Sequence, residues 1–109
     1  MQLQKIQKKY RIDFTIANIE NSASGFGFNQ KTYQDLSKLN VDAFTSGNHV
    51  YAKREVLENF DRYKRLVRPL NFPKQHPGTG IRTIDVNGVS VTIINIIGRV
   101  FMQMTDCPF

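Results

Sequence analysis

Apolar residues recur along this chain with two different periods, and the alternation between them marks out its elements. Leu3, Ile6 and Tyr10 return every three or four positions between glutamines and lysines, which predicts an amphipathic helix with one buried stripe over the first ten residues. Ile12, Phe14 and Ile16 then alternate with polar positions and predict a strand running from Ile12 to Asn18. The stretch from Asn18 to Asn29, rich in Asn, Ser and Gly, predicts a long loop. Asn29 is placed to cap a second helix from Gln30 to Leu39, with Tyr33, Leu36 and Leu39 on one face, and Val41 to Thr45 forms a second β-prone run. After the loop Ser46-Gly47-Asn48-His49, a third helix is expected from Lys53 to Tyr63, with Val56, Leu57, Phe60 and Tyr63 on one side.

Beyond Arg68 the pattern changes. Pro69 and Pro73 stop regular structure, and His76, Pro77, Gly78 and Gly80 prolong an irregular stretch. Ile81 to Val86 and Val89 to Ile97 flank Asn87-Gly88, a dipeptide that tolerates the positive φ of a tight type I′ turn, so a β-hairpin closes the chain. The tail from Gly98 to Phe109 shows no period. Strand and helix alternation followed by a hairpin predicts an α/β layered fold with a mixed sheet, built as one domain over residues 1–109. In such sheets ligands gather at the carboxyl ends of the strands, which directs attention to the two loops after Asn18 and Thr45.

Composition adds direction without choosing a site. Of 109 residues, 40% are hydrophobic and 22% charged, a balance that favours folding over disorder. The formal charge of +6 favours anionic partners: phosphate esters, nucleotides or RNA. The basic residues form two groups, Lys5, Lys8, Lys9 and Arg11, then Lys53, Arg54, Arg62, Lys64, Arg65 and Arg68, and both read first as solvated helix surface. Cys107 is the only cysteine, so there is no internal disulfide and no thiolate zinc site, which fits a cytoplasmic setting. The first ten residues lack an apolar leader core and the longest apolar stretch is interrupted by Ser90, Thr92 and Asn95, so neither export nor a membrane is expected.

The first loop opens with Glu20 and Asn21, adjacent oxygen donors of the kind that hold hard or borderline divalent metals, and continues with Gly25-Phe26-Gly27. Taken alone, the pair reads first as an Asx-turn, and the glycines as turn residues. The second loop offers Asn48 and His49 after Gly47, which taken alone reads first as a loop with a surface histidine. Both loops leave consecutive strands at one sheet edge, so Glu20, Asn21, Asn48 and His49 are positioned to converge.

The segments Ile16-Ala17-Asn18-Ile19-Glu20-Asn21, Gly25-Phe26-Gly27 and Ser46-Gly47-Asn48-His49 together resemble the YmdB-like branch of the calcineurin-like metallophosphoesterases. Arg68-Pro69, Asn71-Phe72-Pro73, Gly98-Arg99-Val100-Phe101-Met102 and Pro108-Phe109 resemble further blocks of that family in the same order, across essentially the whole chain. The resemblance implies a phosphodiesterase that uses two divalent cations, Fe, Mn or Mg, on substrates such as cyclic nucleotides. It implies Glu20 as the metal-bridging carboxylate, Asn48 as a ligand of the second metal, Asn21 as an asparagine close to the metals and His49 as the acid for the leaving oxygen. His76 matches no ligand of the family and reads as a loop residue. The family's first strand, with its Asp ligand, and a second half with three histidine ligands have no counterpart here. A domain truncated at both ends is therefore expected, inactive alone, and prone to cover its edges by self-association or with a missing second half. The alternatives are a non-catalytic fragment and a remnant that binds RNA or a partner through its basic surface.

Overall fold

The computed structural model describes residues 2–109, and two small sheets organise it. The first is parallel, with β1 (Ile16–Asn18), β2 (Ala43–Thr45) and β3 (Leu66–Val67) in the order β1-β2-β3. Ile16 lies opposite Ala43 and Phe44 opposite Leu66. The second sheet is the hairpin β4 (Ile81–Val86) and β5 (Val89–Ile94), turning at Asn87 and Gly88 with φ of 53° and 83°. The α/β class, with parallel and antiparallel pairing and a closing hairpin, is the one expected from the sequence; the two kinds of pairing occupy separate sheets.

β2 is central and buried on both faces, as parallel strands are when layers cover them on each side. On one side Phe44 meets Tyr33 of α2 (Gln30–Ser37) at 5.0 Å between ring centroids, and Tyr33 and Phe28 both contact Tyr63. On the other, Ala43 and Val67 pack against Ile93 and Ile84 of the hairpin and against Phe14. α2 starts where Asn29 and Thr32 satisfy each other's backbone N–H, a capping box with Thr in the third helical position.

Several boundaries differ from the periodic reading. α1 (Gln2–Lys9) forms, but of its stripe only Leu3 packs against the core, while Ile6 and Tyr10 stay exposed because no described element lies over them. β1 begins at Ile16 and not at Ile12, since Ile12 N–H bonds back to Gln7 and Thr15 N–H goes to the Asp42 carboxylate. The third helix is broken: α3 (Arg54–Glu58) stops at Asn59, and Phe60–Arg62 continues as a 3₁₀ turn. Phe60 and Tyr63 both reach the core from that tighter turn. β3 is a two-residue strand within what looked like a basic helix exit.

Two asparagines complete the frame. Asn71, buried, donates to the carbonyls of Ile97 (2.9 Å) and Asp106 (3.1 Å) and accepts from Ile97 N–H (3.1 Å), which fastens the aperiodic tail. Asn95 donates to the carbonyls of Ser46 (2.7 Å) and Val67 (3.1 Å), tying the hairpin exit to the ends of β2 and β3.

Candidate functional site

The loops after β1 and β2 leave the sheet together. Pairing continues one residue past β1, where Ile19 N–H donates to Thr45 at 3.0 Å, so Glu20 and Asn21 emerge beside Ser46-Gly47-Asn48-His49. Ser46 is buried, its hydroxyl bonded to Val67 and its carbonyl held by Asn95, which fixes the start of the second loop. The Glu20 side chain fills the space left open at Gly47, where a Cβ would stand only 2.6 Å from its Cδ. Glu20 Oε2 is buried there and has no hydrogen-bond partner among the described residues. Buried carboxylate oxygens without a donor are rare and call for a counter-charge.

Asn21 and His49 are joined by a 3.0 Å hydrogen bond to Nδ1 of the imidazole. The surrounding carbonyls decide which way the amide faces: with Nδ2 inward it donates to Glu20 O (3.3 Å), Gly25 O (3.2 Å) and His49 Nδ1 (3.0 Å), whereas Oδ1 inward would set oxygen against oxygen. In the satisfied arrangement Nδ1 accepts, so neutral His49 carries its proton on Nε2. The Gly25-Phe26-Gly27 turn lays Phe26 on the imidazole at 4.4 Å between centroids, with the Lys53 ammonium 5.9 Å from the centre of the Phe26 ring. Gly27 is buried, and a Cβ there would stand 3.1 Å from Ala52, so the turn and the start of α3 pack without a side chain between them.

Asn48 and His49 open onto a cleft of about 190 Å³ whose other walls are Phe26, Tyr51, Ala52, Phe72, His76 and Gln103. His76, read from sequence as a plain loop residue, stands edge-on to Tyr51 (5.4 Å) and Phe72 (5.7 Å). Pro73 and Pro77 around it gave a turn signal only; nothing periodic could have linked it to His49, which lies on the far side of α3 and β3 in the chain. Gln103 reaches the cleft because Asn71 anchors the tail.

Tyr51 donates to the Pro77 carbonyl at 2.6 Å, and burial pushes its phenol from 10.0 up to about 12, with the nearby Arg68 charge acting the other way. An unfolded chain releases this proton near pH 10 and the folded chain only near pH 12, so the contribution is full below pH 10 and declines as pH rises through that window. Tyr51→Phe is expected to flatten that part of the alkaline decline in thermal melts. An unchanged decline in the variant would assign it to other groups, with buried Tyr63, shifted in the same direction, the first of them.

Among the described residues no three His, Cys, Asp or Glu side chains come together as a metal-holding group. The donors on hand are the Glu20 carboxylate and the amide oxygens of Asn48 and Asn21, a set that suits an oxygen-seeking divalent cation but supplies only part of its shell. Three residues of the second basic group have partners within the fold. Arg65 donates to Val41 and lies over Phe44, Arg68 is buried against Pro69, and Arg54 pairs with Glu58. No described helix is long and apolar enough to cross a membrane.

The sequence model of a family described as YmdB-like protein matches residues 1–109. The 2′,3′-cyclic-nucleotide 2′-phosphodiesterase of Bacillus subtilis (strain 168) is 43% identical over 105 residues, covering 96% of this chain and 40% of that protein. Two crystal structures superpose with a TM-score of 0.88 over 97% of this chain. One is a hypothetical protein from Thermus thermophilus, 37% identical and matched over 41% of its length; the other is described as a novel phosphatase from Mycoplasma pneumoniae, 30% identical and matched over 40%. The chain thus spans about two fifths of the length of these relatives.

Proposed function

The chain belongs to the YmdB-like protein family, and we propose that it carries part of the active centre of a metal-dependent phosphodiesterase acting on cyclic nucleotides or related phosphodiesters. The observation that carries this reading is the buried, partnerless Oε2 of Glu20 in the space opened by Gly47. A carboxylate so placed is stabilised by a cation, and Asn48, directly after Gly47, adds a neutral oxygen donor. Paired divalent cations, Mn, Fe or Mg, would supply the charge that polarises the phosphate and lowers the pKa of water. The further ligands of such a pair come, on this reading, from the remaining length of the family domain.

His49 acts on the leaving side. With Nδ1 accepting from Asn21, the neutral ring offers Nε2–H as a hydrogen-bond donor to a departing oxygen. It gives that proton up only from the imidazolium, whose Nδ1–H then donates to Asn21 Oδ1, and in either state the amide keeps the ring from turning. Asn21 therefore serves chiefly to orient His49, its Oδ1 being the one atom left for a metal.

The test is to add Mn²⁺ to the ¹⁵N-labelled chain and follow paramagnetic line broadening. Broadening is expected first at Glu20, Gly47 and Asn48, and is expected to vanish from those residues in Glu20→Gln and Asn48→Ala. Broadening that instead starts at surface carboxylates such as Asp35 or Glu58, unchanged in both variants, would remove the metal site and the reading with it.

A further inference from the structure

The cleft beside His49 is walled by rings, and its size limits what it can hold. At about 190 Å³ it falls below the roughly 300–1,000 Å³ of sites that enclose a whole drug-sized ligand, so it has room for one planar group and not for a complete nucleotide. The rings of Phe26, Tyr51, Phe72 and His76 border it, and the Tyr51 hydroxyl is already spent on Pro77. Gln103 is the lining carboxamide that comes from outside the Asn48-His49 loop, able both to donate and to accept. Aromatic walls with the carboxamides of Gln103 and Asn48 are the chemistry that receives a heterocyclic base, by contact with its π-face and by pairing with its edge.

The position is as informative as the composition. Asn48 and His49 belong both to the cleft lining and to the loop of the proposed metal side, so a group seated in the cleft lies beside the departing oxygen that His49 faces. In a nucleotide the base and the phosphate are joined through a single sugar, and here the loop of the proposed phosphate centre itself forms part of the cleft wall. We infer that the cleft between Phe26, Tyr51, Phe72, His76 and Gln103 is the subsite for the base of a nucleotide substrate, on the leaving-group side of His49. The inference rests on the phosphodiesterase reading and gives His76 a role in recognition.

The experiment compares adenosine 5′-monophosphate with ribose 5-phosphate, which differ only in the base, as ligands of the 109-residue chain with Mg²⁺ present, by titration and by saturation-transfer NMR. The nucleotide is expected to bind about tenfold or more tightly than ribose phosphate, with saturation strongest at the base protons. Phe26→Ala and His76→Ala are expected to erase that preference while ribose phosphate binds as before. Both side chains are exposed, so the fold should survive, and the amide spectrum verifies it. Equal binding of the two ligands to the wild-type chain would overturn the subsite and leave the phosphate centre standing. A base preference that persists in both variants would overturn its placement in this cleft. Failure of both ligands to bind, with no metal-dependent phosphate affinity, would overturn the phosphodiesterase reading and the subsite together.

Discussion

Gly47→Ala is expected to leave the fold nearly as stable as before and to weaken Mn²⁺ binding by about 10–100-fold, the range seen when a metal ligand loses its support. The added methyl would meet the end of the Glu20 side chain, 2.6 Å from Cδ and 2.9 Å from Oε1. A flexible carboxylate moves aside at little cost, and its Oε2 has no hydrogen bond to give up. Gly47 also carries no left-handed φ that alanine would strain. The stability change should therefore stay within about 0.5 kcal/mol, the usual range of a change that breaks no buried contact. Function bears the effect, because Glu20 can no longer lie against the Asn48 loop. The measurement pairs a thermal melt with a Mn²⁺ titration. Undiminished metal affinity would mean that Glu20 is no ligand, and a collapse of the melt would mean that Gly47 serves the fold and not the site.

The same loop shows what could be read from the sequence and what could not. Glu20, Asn21, Asn48 and His49 were placed together by a general rule, that loops after consecutive strands of an α/β sheet converge, and β1 and β2 do pair in parallel with both loops at one end. Local chemistry was equally legible where it is self-contained: Asn29 at the start of α2, and Asn87-Gly88 between β4 and β5. What escaped depends on partners distant in sequence. Asn71 falls in the irregular stretch after Pro69 and Asn95 inside the expected strand Val89 to Ile97, yet their amides replace strand pairing for segments more than 20 residues away. The break at Asn59 was hidden because Val56, Phe60 and Tyr63 keep helical spacing while the last two are served by a 3₁₀ turn. His76 was missed because the ring stack that places it is assembled from separate loops.

Gly80→Ala is the opposite case, and it is expected to cost at least about 1–3 kcal/mol of folding stability, the range for forcing atoms into a packed interior. Here the new methyl would overlap the backbone of Leu70, whose N and Cβ would lie at 2.7 Å. Neither atom belongs to the end of a flexible side chain. Backbone on both sides is pinned: Asn95 N–H donates to Gly80 at 3.1 Å, and Leu70 N–H donates to Asn95 at 2.7 Å. Separating Gly80 from Leu70 therefore strains the hydrogen bonds that hold the irregular segment to the hairpin exit. At about 4–8 °C per kcal/mol for a domain near this size, the melting temperature should fall by several degrees at least. The disturbance should also travel through Asn95, which holds the carbonyl of Ser46, so amide shifts at Ser46 and Gly47 are expected before any at α2. A melt indistinguishable from wild type would show that the segment yields freely. Shifts confined to Leu70 and Gly80 would show that the hairpin does not brace the loop carrying Asn48 and His49.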